Sequence, residues 1–226
     1  MMPYRGAYLH LLSLLLRKPM REEYGKALTR KVLRAVLAIY RRMLEKTDDI
    51  GADNPLAGNV YMCFVFLAVW KAAEGAVSPD SLRRVTKALM ARPIVGKIMG
   101  GRDINRPEDL AAEKARFHRM QDWADAHLAY KDKTWDFHFD DTRRRDGSYY
   151  YFTHCPLEKF ARENGFLEVL PVACGIDYMT TALRHGVLHR DSTLATGGSV
   201  SITGSLRIGY SSPNNKRQHH RRIAWA

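Results

Sequence analysis

The sequence predicts an α+β fold, in which an N-terminal helical half packs with a C-terminal antiparallel sheet and two helices. Two observations predict this class. Apolar residues recur at three- and four-residue steps through the first 130 residues, which is typical of amphipathic helices. Short runs that alternate aromatic or apolar residues with polar ones then follow between 134 and 194. Because helices and strands occupy separate parts of the chain, we expect α+β organisation and one domain over residues 1–200.

Four helices are predicted in the first half of the chain. The periodicity predicts helices over 20–46 and 56–74, and the second is apolar nearly all round, which indicates a buried helix. A Ser-Pro-Asp start predicts a third helix over 78–91, and a Pro-Glu-Asp start predicts a fourth over 107–130. The three glycines within 96–101 predict a break between the third and fourth helices.

The second half of the chain predicts strands and shorter helices. Strands are expected at 134–140 and 148–153, and the charged turn that ends in Asp-Gly between them predicts a hairpin. The remaining predicted elements are a helix over 157–162 that ends at Asn164-Gly165, a mostly helical segment over 167–183 and a strand over 187–194.

Length and composition favour one globular domain in a reducing compartment. The chain has 226 residues, of which 46% are hydrophobic and 27% charged, and this balance excludes disordered, collagen-like and coiled-coil classes. The longest apolar run, 60–70, has 11 residues, whereas a membrane span needs about 20. We predict no signal peptide, because no small-residue cleavage site follows the apolar N-terminus. Three cysteines are too few for a disulfide scaffold, so a cytoplasmic protein with reduced thiols is expected.

Nearly half of the net charge of +12 lies at one end of the chain. Residues 201–226 hold five basic residues and no acidic residue. Elsewhere the basic residues are mixed with acids on helices, which is typical of a solvated face. We therefore predict neither nucleic acid nor a membrane as a partner. The small-molecule substrate that we expect instead is implied by a family resemblance of residues 149–198, and the cofactor and the oligomeric state stay undetermined.

Cys174 and Asp177 form the sharpest candidate site. Residues three apart on a helix share a face, so a thiol and a carboxylate meet there. Such a pair can act as nucleophile and base, or bind a metal. The alternative is a buried cysteine beside a surface acid, since a free cysteine is often a small core residue.

Two further cysteines and nine histidines complete the candidate chemistry. Cys155 lies at a strand-to-helix junction, where amides at a helix N-terminus can lower the pKa of a thiol; the alternative is a junction residue. Cys63 lies in the apolar run and is expected in the core. The histidines form no metal-type pair, and His185 and His189 straddle a predicted helix end, so no metal ligand is predicted.

The turn at Gly197-Gly198 is a candidate anion site. It follows Thr193 and Thr196, and exposed amides of such a turn can cradle an anion. The alternative is an ordinary hairpin turn, which is the commoner case.

Residues 149–198 together resemble the L-2-amino-thiazoline-4-carboxylic acid hydrolase family of bacteria. The features that carry this resemblance are Phe152-Thr153-x-Cys155-Pro156, Glu163-Asn164-Gly165, Leu170-Pro171-Val172-x-Cys174, Asp177-Tyr178 and Thr193-Leu194-Ala195-x-Gly197-Gly198.

The resemblance implies hydrolytic opening of a 2-aminothiazoline ring to give a carbamoylated cysteine. The ring carbon between nitrogen and sulfur is electrophilic, so the reaction needs a nucleophile or activated water and an acid for the departing group. Cys174 as nucleophile and Asp177 as proton carrier satisfy this need, and Cys155 is the third catalytic candidate. Gly197, Gly198, Thr193 and Thr196 are predicted to hold the substrate carboxylate. Asn164 is added to the substrate-binding residues on its place in the family motif.

The chain departs from the family after the glycine turn. Family members continue close to Cys-Asp-Tyr-Trp-Ile, whereas this chain reads Ser-Ile-Thr-Gly-Ser over 201–205. Deleting one base from codons for Val-Cys-Asp-Tyr-Trp-Ile yields Val-Ser-Ile-Thr-Gly-Ser, which matches 200–205. We therefore predict that 201–226 is an aberrant basic tail produced by a frameshift, which impairs the hydrolase.

Two alternatives stay open at this point. A non-catalytic relative would use Cys155, Cys174 and Asp177 to bind a small molecule or a metal. A nucleic-acid-binding protein would use the basic tail, with a steep salt dependence.

Overall fold

The predicted α+β class is confirmed. The computed structural model describes residues 1–73, 75–143, 147–198 and 201–207. The helices are α1 Gly6–Glu45, α2 Ala57–Ala72, α3 Pro79–Met90, α4 Pro93–Met99, α5 Pro107–Ala126, α6 Pro156–Asn164, α7 Leu170–Cys174 and α8 Ile176–Leu183. The strands are β1 Phe137–Phe139, β2 Gly147–Phe152, β3 Gly186–Ser192 and β4 Ser201–Arg207. Short 3₁₀ helices cover Leu128–Tyr130 and Leu194–Thr196.

Helix α2 forms the centre of the core, as its apolar sequence predicts. It is buried on most sides, and Phe64 packs against Phe160 of α6 with ring centroids 4.6 Å apart. Trp70 at its C-terminal end contacts Phe166 edge-to-face at 5.9 Å. Helix α1 packs along α2 and shields it. The core therefore lies between the helices, with the sheet added on the side of α5 and α8.

Helix α1 is longer than the sequence predicts. It begins at Gly6, whereas the periodicity indicated a start at residue 20. Pro19 lies inside the helical segment. The break in helical geometry occurs instead at Gly25, whose φ of 77° suits a residue without a Cβ. Helix α4 was not predicted, and it occupies most of the segment that was expected to be a glycine break.

The sheet is antiparallel, with strand order β1-β2-β4-β3. The predicted hairpin is confirmed, with Phe137 opposite Phe152 and Phe139 opposite Tyr150. Strand β1 has three residues instead of the predicted seven. Strand β4 lies in the interior of the sheet and pairs with both β2 and β3. The first seven residues of the predicted aberrant tail are therefore a strand, and residues 208–226 lie outside the described part.

A cross-strand row places two side chains on the same sheet face. Thr203 of β4 lies opposite Tyr150 of β2 and also opposite Arg190 of β3. Residues paired in this way point to one face, and strands are spaced about 4.8 Å apart. Tyr150 and Arg190 are thus about 10 Å apart at the backbone on the face where Tyr150 contacts Phe117 of α5, with ring centroids 4.9 Å apart.

Candidate active site

Cys174 and Asp177 lie on either side of a helix break. Cys174 is the last residue of α7, and Asp177 lies in the first turn of α8. The segment over 167–183 is mostly helical, as predicted, but it is divided at Gly175, where the Tyr178 amide donates to the Gly175 carbonyl three residues back. The structure thus presents the two residues at the junction of two helices.

Arg190 joins Cys174 and Asp177 from strand β3. One guanidinium nitrogen donates to the Cys174 carbonyl oxygen at 2.9 Å, and the other donates to Asp177 Oδ2 at 2.5 Å. The Arg190 side chain is 5% exposed, whereas that of Asp177 is 53% exposed. Burial acts to lower the pKa of Arg190, but the Asp177 carboxylate, followed by Tyr150, raises it above its usual range. The arginine is therefore a fixed cation beneath a half-exposed carboxylate.

Sequence reasoning missed Arg190. An arginine in a strand carries no local signal for such a role, since its partners are known only when β3 is placed beside α7 and α8. Its guanidinium also lies over the Tyr178 ring, 5.6 Å from the centroid. Tyr178 belongs to the motif that the sequence singled out, so the cation–π contact connects that motif to β3.

Cys155 is the N-cap residue of α6, as its place before Pro156 predicts. Burial raises the pKa of this thiol to about 11, although the amides of Glu158 and Leu157 and the Trp135 side chain act to lower it. The expected effect of the helix N-terminus is present, but desolvation outweighs it. Cys155 is therefore a thiol at neutral pH.

The three cysteines influence one another electrostatically. Burial raises the pKa of Cys63 well above its usual value, and Cys174, Asp177 and Cys155 raise it further. Burial also raises the pKa of Cys174 to about 12, with Cys155 and Asp177 adding to the shift and Arg190 opposing it. All three cysteines are free. The fold thus gathers Cys63, Cys155, Cys174 and Asp177 in one region, and Cys63, predicted as core, borders the candidate site.

The Gly197-Gly198 turn does not offer free amides. The Gly197 amide donates to the Leu194 carbonyl at 3.1 Å, and the Gly198 amide donates to the Thr193 carbonyl at 3.0 Å. Gly197 is left-handed, with φ 86°, as the commoner turn interpretation requires. The predicted anion cradle from these amides is therefore not available in this structure. The hydroxyls of Thr193 and Thr196 lie 3.0 Å apart on a 3₁₀ turn that packs against α7.

Asn164 is not brought to the cysteines. It is the last residue of α6, about 13 Å along the helix axis from Cys155 at the other end. Its side-chain amide donates to the Phe160 carbonyl at 3.0 Å, and its oxygen accepts from Lys46 at 3.4 Å. Asn164 therefore closes the end of a helix, and Gly165 behind it is left-handed as predicted, with φ 76°.

A second polar cluster is buried beneath the sheet. Glu113 of α5 is 1% exposed and accepts from Arg184, at the end of α8, and from the Ser148 hydroxyl of β2 at 3.5 Å. Ile104 donates its amide to the Arg184 carbonyl at 3.1 Å. These bonds hold the end of α8, the helix that carries Asp177, against α5 and the sheet.

Within the part of the chain that the structure describes, no group of three or more histidine, cysteine or acidic side chains is arranged to hold a metal ion. Nor does any helix in the described ranges have the length and apolar character needed to cross a membrane.

The comparison with known families decides the assignment. The family model described as L-2-amino-thiazoline-4-carboxylic acid hydrolase matches residues 58–200, well over half of the chain. The chain belongs to the L-2-amino-thiazoline-4-carboxylic acid hydrolase family. Searches of curated proteins and of solved structures gave no match. The matched segment of this hydrolase family member runs from α2 to the residue before β4, and it includes every residue of the gathered cysteine and aspartate site.

Proposed function

We propose that this chain is a hydrolase that opens the ring of L-2-amino-thiazoline-4-carboxylate or a related small cyclic amidine or thioether. One observation carries the proposal: the segment matched by the family model holds Cys174, Asp177 and Cys155, and Asp177 and Cys155 both act electrostatically on the Cys174 thiol. A nucleophile and a proton carrier side by side are what this ring opening requires. The proposal places the protein in the cytoplasm, where free thiols persist.

The first chemical step is attack by the Cys174 sulfur on the ring carbon between nitrogen and sulfur. A carbon–sulfur bond to Cys174 forms, and the ring carbon–sulfur bond breaks. The electron pair of that bond stays on the departing sulfur, which takes up a proton and becomes the thiol of the opened product.

Asp177 carries the proton in this proposal. Burial raises the pKa of Cys174 to about 12, so its side chain is a protonated thiol at pH 7. A neighbouring base must therefore accept the thiol proton during attack, and the half-exposed Asp177 carboxylate then delivers it to the departing sulfur. Removal of the carboxylate slows both transfers.

Water completes the reaction. It attacks the same carbon of the covalent intermediate, and the bond to Cys174 breaks, so that the carbon becomes the carbonyl of a carbamoyl group. Asp177 takes one proton from the water and returns it to the Cys174 sulfur, and the other proton of the water goes to the nitrogen that was doubly bonded to this carbon. One water molecule is consumed and no oxidant or reductant is needed.

The loop that packs against α7 supplies the proposed substrate contacts. The amides of Gly197 and Gly198 are fixed within the turn, so we assign the contact to the hydroxyls of Thr193 and Thr196. These hydroxyls contact each other at 3.0 Å, and that of Thr196 also donates to the Thr193 carbonyl at 3.1 Å, but a hydroxyl proton can rotate toward a bound carboxylate, which an amide cannot do. The tail from residue 201 impairs this activity in our proposal, since the family's cysteine and aspartate are absent there.

The test is hydrolysis of L-2-amino-thiazoline-4-carboxylate, followed by thiol release and by mass spectrometry of the carbamoylated product. Both the chain as it stands and a version with the family frame restored are assayed. Cys174→Ala abolishes turnover and Asp177→Asn lowers kcat at least a hundredfold, because each removes a reacting group. Cys63→Ala is the matched control, since it removes a thiol of the same region that takes no part in the chemistry, and it retains turnover.

Two results would overturn the proposal. Turnover that survives Cys174→Ala removes the nucleophile from the mechanism. Absence of turnover in both versions of the chain removes the hydrolase activity itself and leaves the binding alternative to be measured with the same substrate by calorimetry.

A further inference from the structure

Arg190 connects two separate elements at the candidate site. Its two terminal nitrogens reach different acceptors, the Cys174 carbonyl at the end of α7 and the Asp177 carboxylate at the start of α8. The guanidinium is held from β3 and is almost fully buried, so its direction is fixed by the sheet. A planar fork with donors at fixed angles suits two acceptors in this way, whereas the single ammonium of a lysine does not.

We propose that Arg190 is a positioning residue that fixes the Asp177 carboxylate beside Cys174 and supplies the positive charge that favours the Cys174 thiolate. This inference rests on the proposed function for its catalytic meaning. The geometry supports it directly, because a single buried cation touches both residues of the pair and spans the break at Gly175 between them.

Arg190 opposes the electrostatic effect that the other groups around Cys174 have on its thiol. Asp177 on α8 carries a negative charge that acts on Cys174, and Cys155 at the start of α6 and Cys63 on α2 are protonated thiols in the same region. Tyr150 on β2 lies in the same row as Arg190 and also acts on its charge. Arg190 is the side chain in this group that acts in the opposite direction on Cys174. Its loss leaves Asp177 as an uncompensated anion beside the thiol.

The test is the rate at which iodoacetamide alkylates Cys174, measured by peptide mass spectrometry on the intact chain at pH 8.0, which is one unit below the ordinary thiol pKa of 9.0. The reagent is neutral and reacts with the thiolate, so below the thiol pKa its rate follows the thiolate fraction. We expect Arg190→Gln to slow alkylation about tenfold and Asp177→Asn to accelerate it, because an adjacent charge shifts a pKa by about one unit or more. Arg190→Lys keeps the charge without the fork and recovers part of the rate.

If Arg190 only stabilises the fold, Arg190→Gln changes the alkylation rate of Cys174 in the opposite direction. Loosening of the fold exposes the thiol, relieves its desolvation and accelerates alkylation. Arg184→Gln is the matched control, because Arg184 is also a largely buried arginine bound to an acid, Glu113, on the other polar cluster. We expect Arg184→Gln to destabilise the chain without lowering the alkylation rate of Cys174. An Arg190→Gln rate equal to or above that of the unchanged chain overturns the inference.

The same variants separate this inference from the proposed function. Alkylation involves no substrate, so slow alkylation in Arg190→Gln with no turnover in any version of the chain rejects the hydrolase and retains the role of Arg190 toward Cys174. Turnover that depends on Cys174, together with an unchanged alkylation rate in Arg190→Gln, retains the hydrolase and rejects Arg190. In an active chain, we expect Arg190→Gln to lower kcat and to displace the pH profile of kcat/KM to higher pH.

Discussion

Replacing Glu113 by glutamine tests whether the buried polar cluster holds α8 in place. The carboxylate is 1% exposed and its partner Arg184 is 18% exposed, so this ion pair is largely removed from water. Glu113→Gln keeps the size of the side chain but leaves the Arg184 guanidinium without its charge partner. Removing one member of a buried pair costs about 3–5 kcal/mol, and the remaining exposure of Arg184 places the expected loss near the lower value, about 3 kcal/mol.

Thermal and urea unfolding measure this loss. For a chain of this size about 3 kcal/mol lowers Tm by roughly 6–12 °C. Glu22→Gln is the matched control, because Glu22 pairs with Lys18 at 3.8 Å on the surface, where 61% of its side chain is exposed. Exposed pairs of this spacing contribute about 0.3–0.5 kcal/mol, so the control changes stability little.

A double-mutant cycle decides the physical reason. If the loss comes from an uncompensated Arg184 charge, adding Arg184→Met to Glu113→Gln restores part of the stability, and the coupling between the two sites exceeds about 1 kcal/mol. A Glu113→Gln loss below about 1 kcal/mol, or strict additivity in the cycle, refutes the view that this pair fixes the end of α8.

Three further predictions concern the thiols, a helix end and the tail. Folding raises the pKa of Cys155 to about 11 and that of Cys174 to about 12, from an ordinary 9.0, so their protons stabilise the folded state below pH 9 and this contribution is lost as the pH rises toward 12. In the Cys155→Ala, Cys174→Ala double variant, the urea midpoints measured at pH 8.0 and 10.0 should therefore converge. A double variant with the same pH dependence as the unchanged chain contradicts this explanation. Gly165→Ala destabilises the chain by about 1 kcal/mol in urea unfolding, because its φ of 76° strains any residue with a Cβ, and a neutral result would show that the end of α6 relaxes. Sequencing of codons 198–226 should reveal that one added base restores Cys-Asp and an aromatic strand; a confirmed frame with no such sequence in any shifted frame rejects the frameshift.

Sequence patterns predicted correctly those elements in which the local conformational preference is the same as the conformation that tertiary packing requires. The apolar surface of α2 and the left-handed residue Gly165 are examples, since each depends on residues close in sequence. The β1–β2 hairpin belongs to the same class, because alternation and a turn signal occur within 20 residues. The burial, capping and turn geometry of such elements can be predicted from local sequence, without knowledge of the tertiary fold.

Other elements depend on packing that the sequence does not display. Helix α4 forms although glycine is a poor helix former, because Val95 is buried in the core while Pro93 starts the helix. Helix α1 continues through Pro19, which is fully surrounded by its neighbours, and changes direction only at Gly25. In both cases tertiary contacts outweigh the local breaker residues, so a reading from propensity alone gave wrong boundaries.

The candidate site divides in the same way. Cys174 and Asp177 are three residues apart, and helical spacing predicted their proximity. The structure places them instead at the ends of two helices, where Arg190 contacts both. Arg190 lies on a strand, Cys155 at a helix start and Cys63 on a central helix, and their approach to Cys174 depends on how these elements pack. The Gly197 and Gly198 amides show the opposite error, because a turn that looks open in sequence satisfies its own donors when it folds.

Strand β4 shows how a segment without the family's residues still completes the sheet. Its backbone pairs with β2 on one side and β3 on the other, and such a ladder uses amide and carbonyl groups that every residue except proline supplies. A change of reading frame would therefore replace the side chains of β4 but preserve its backbone pairing. Strand β3, which carries Arg190, would keep its partner in the sheet. Ser201, where the resemblance implies a cysteine, is buried opposite Phe152, on the same sheet face as Tyr150 and Arg190. The frameshift prediction therefore concerns the chemistry beside Cys174 and Asp177, because the position of β4 is already set by its backbone.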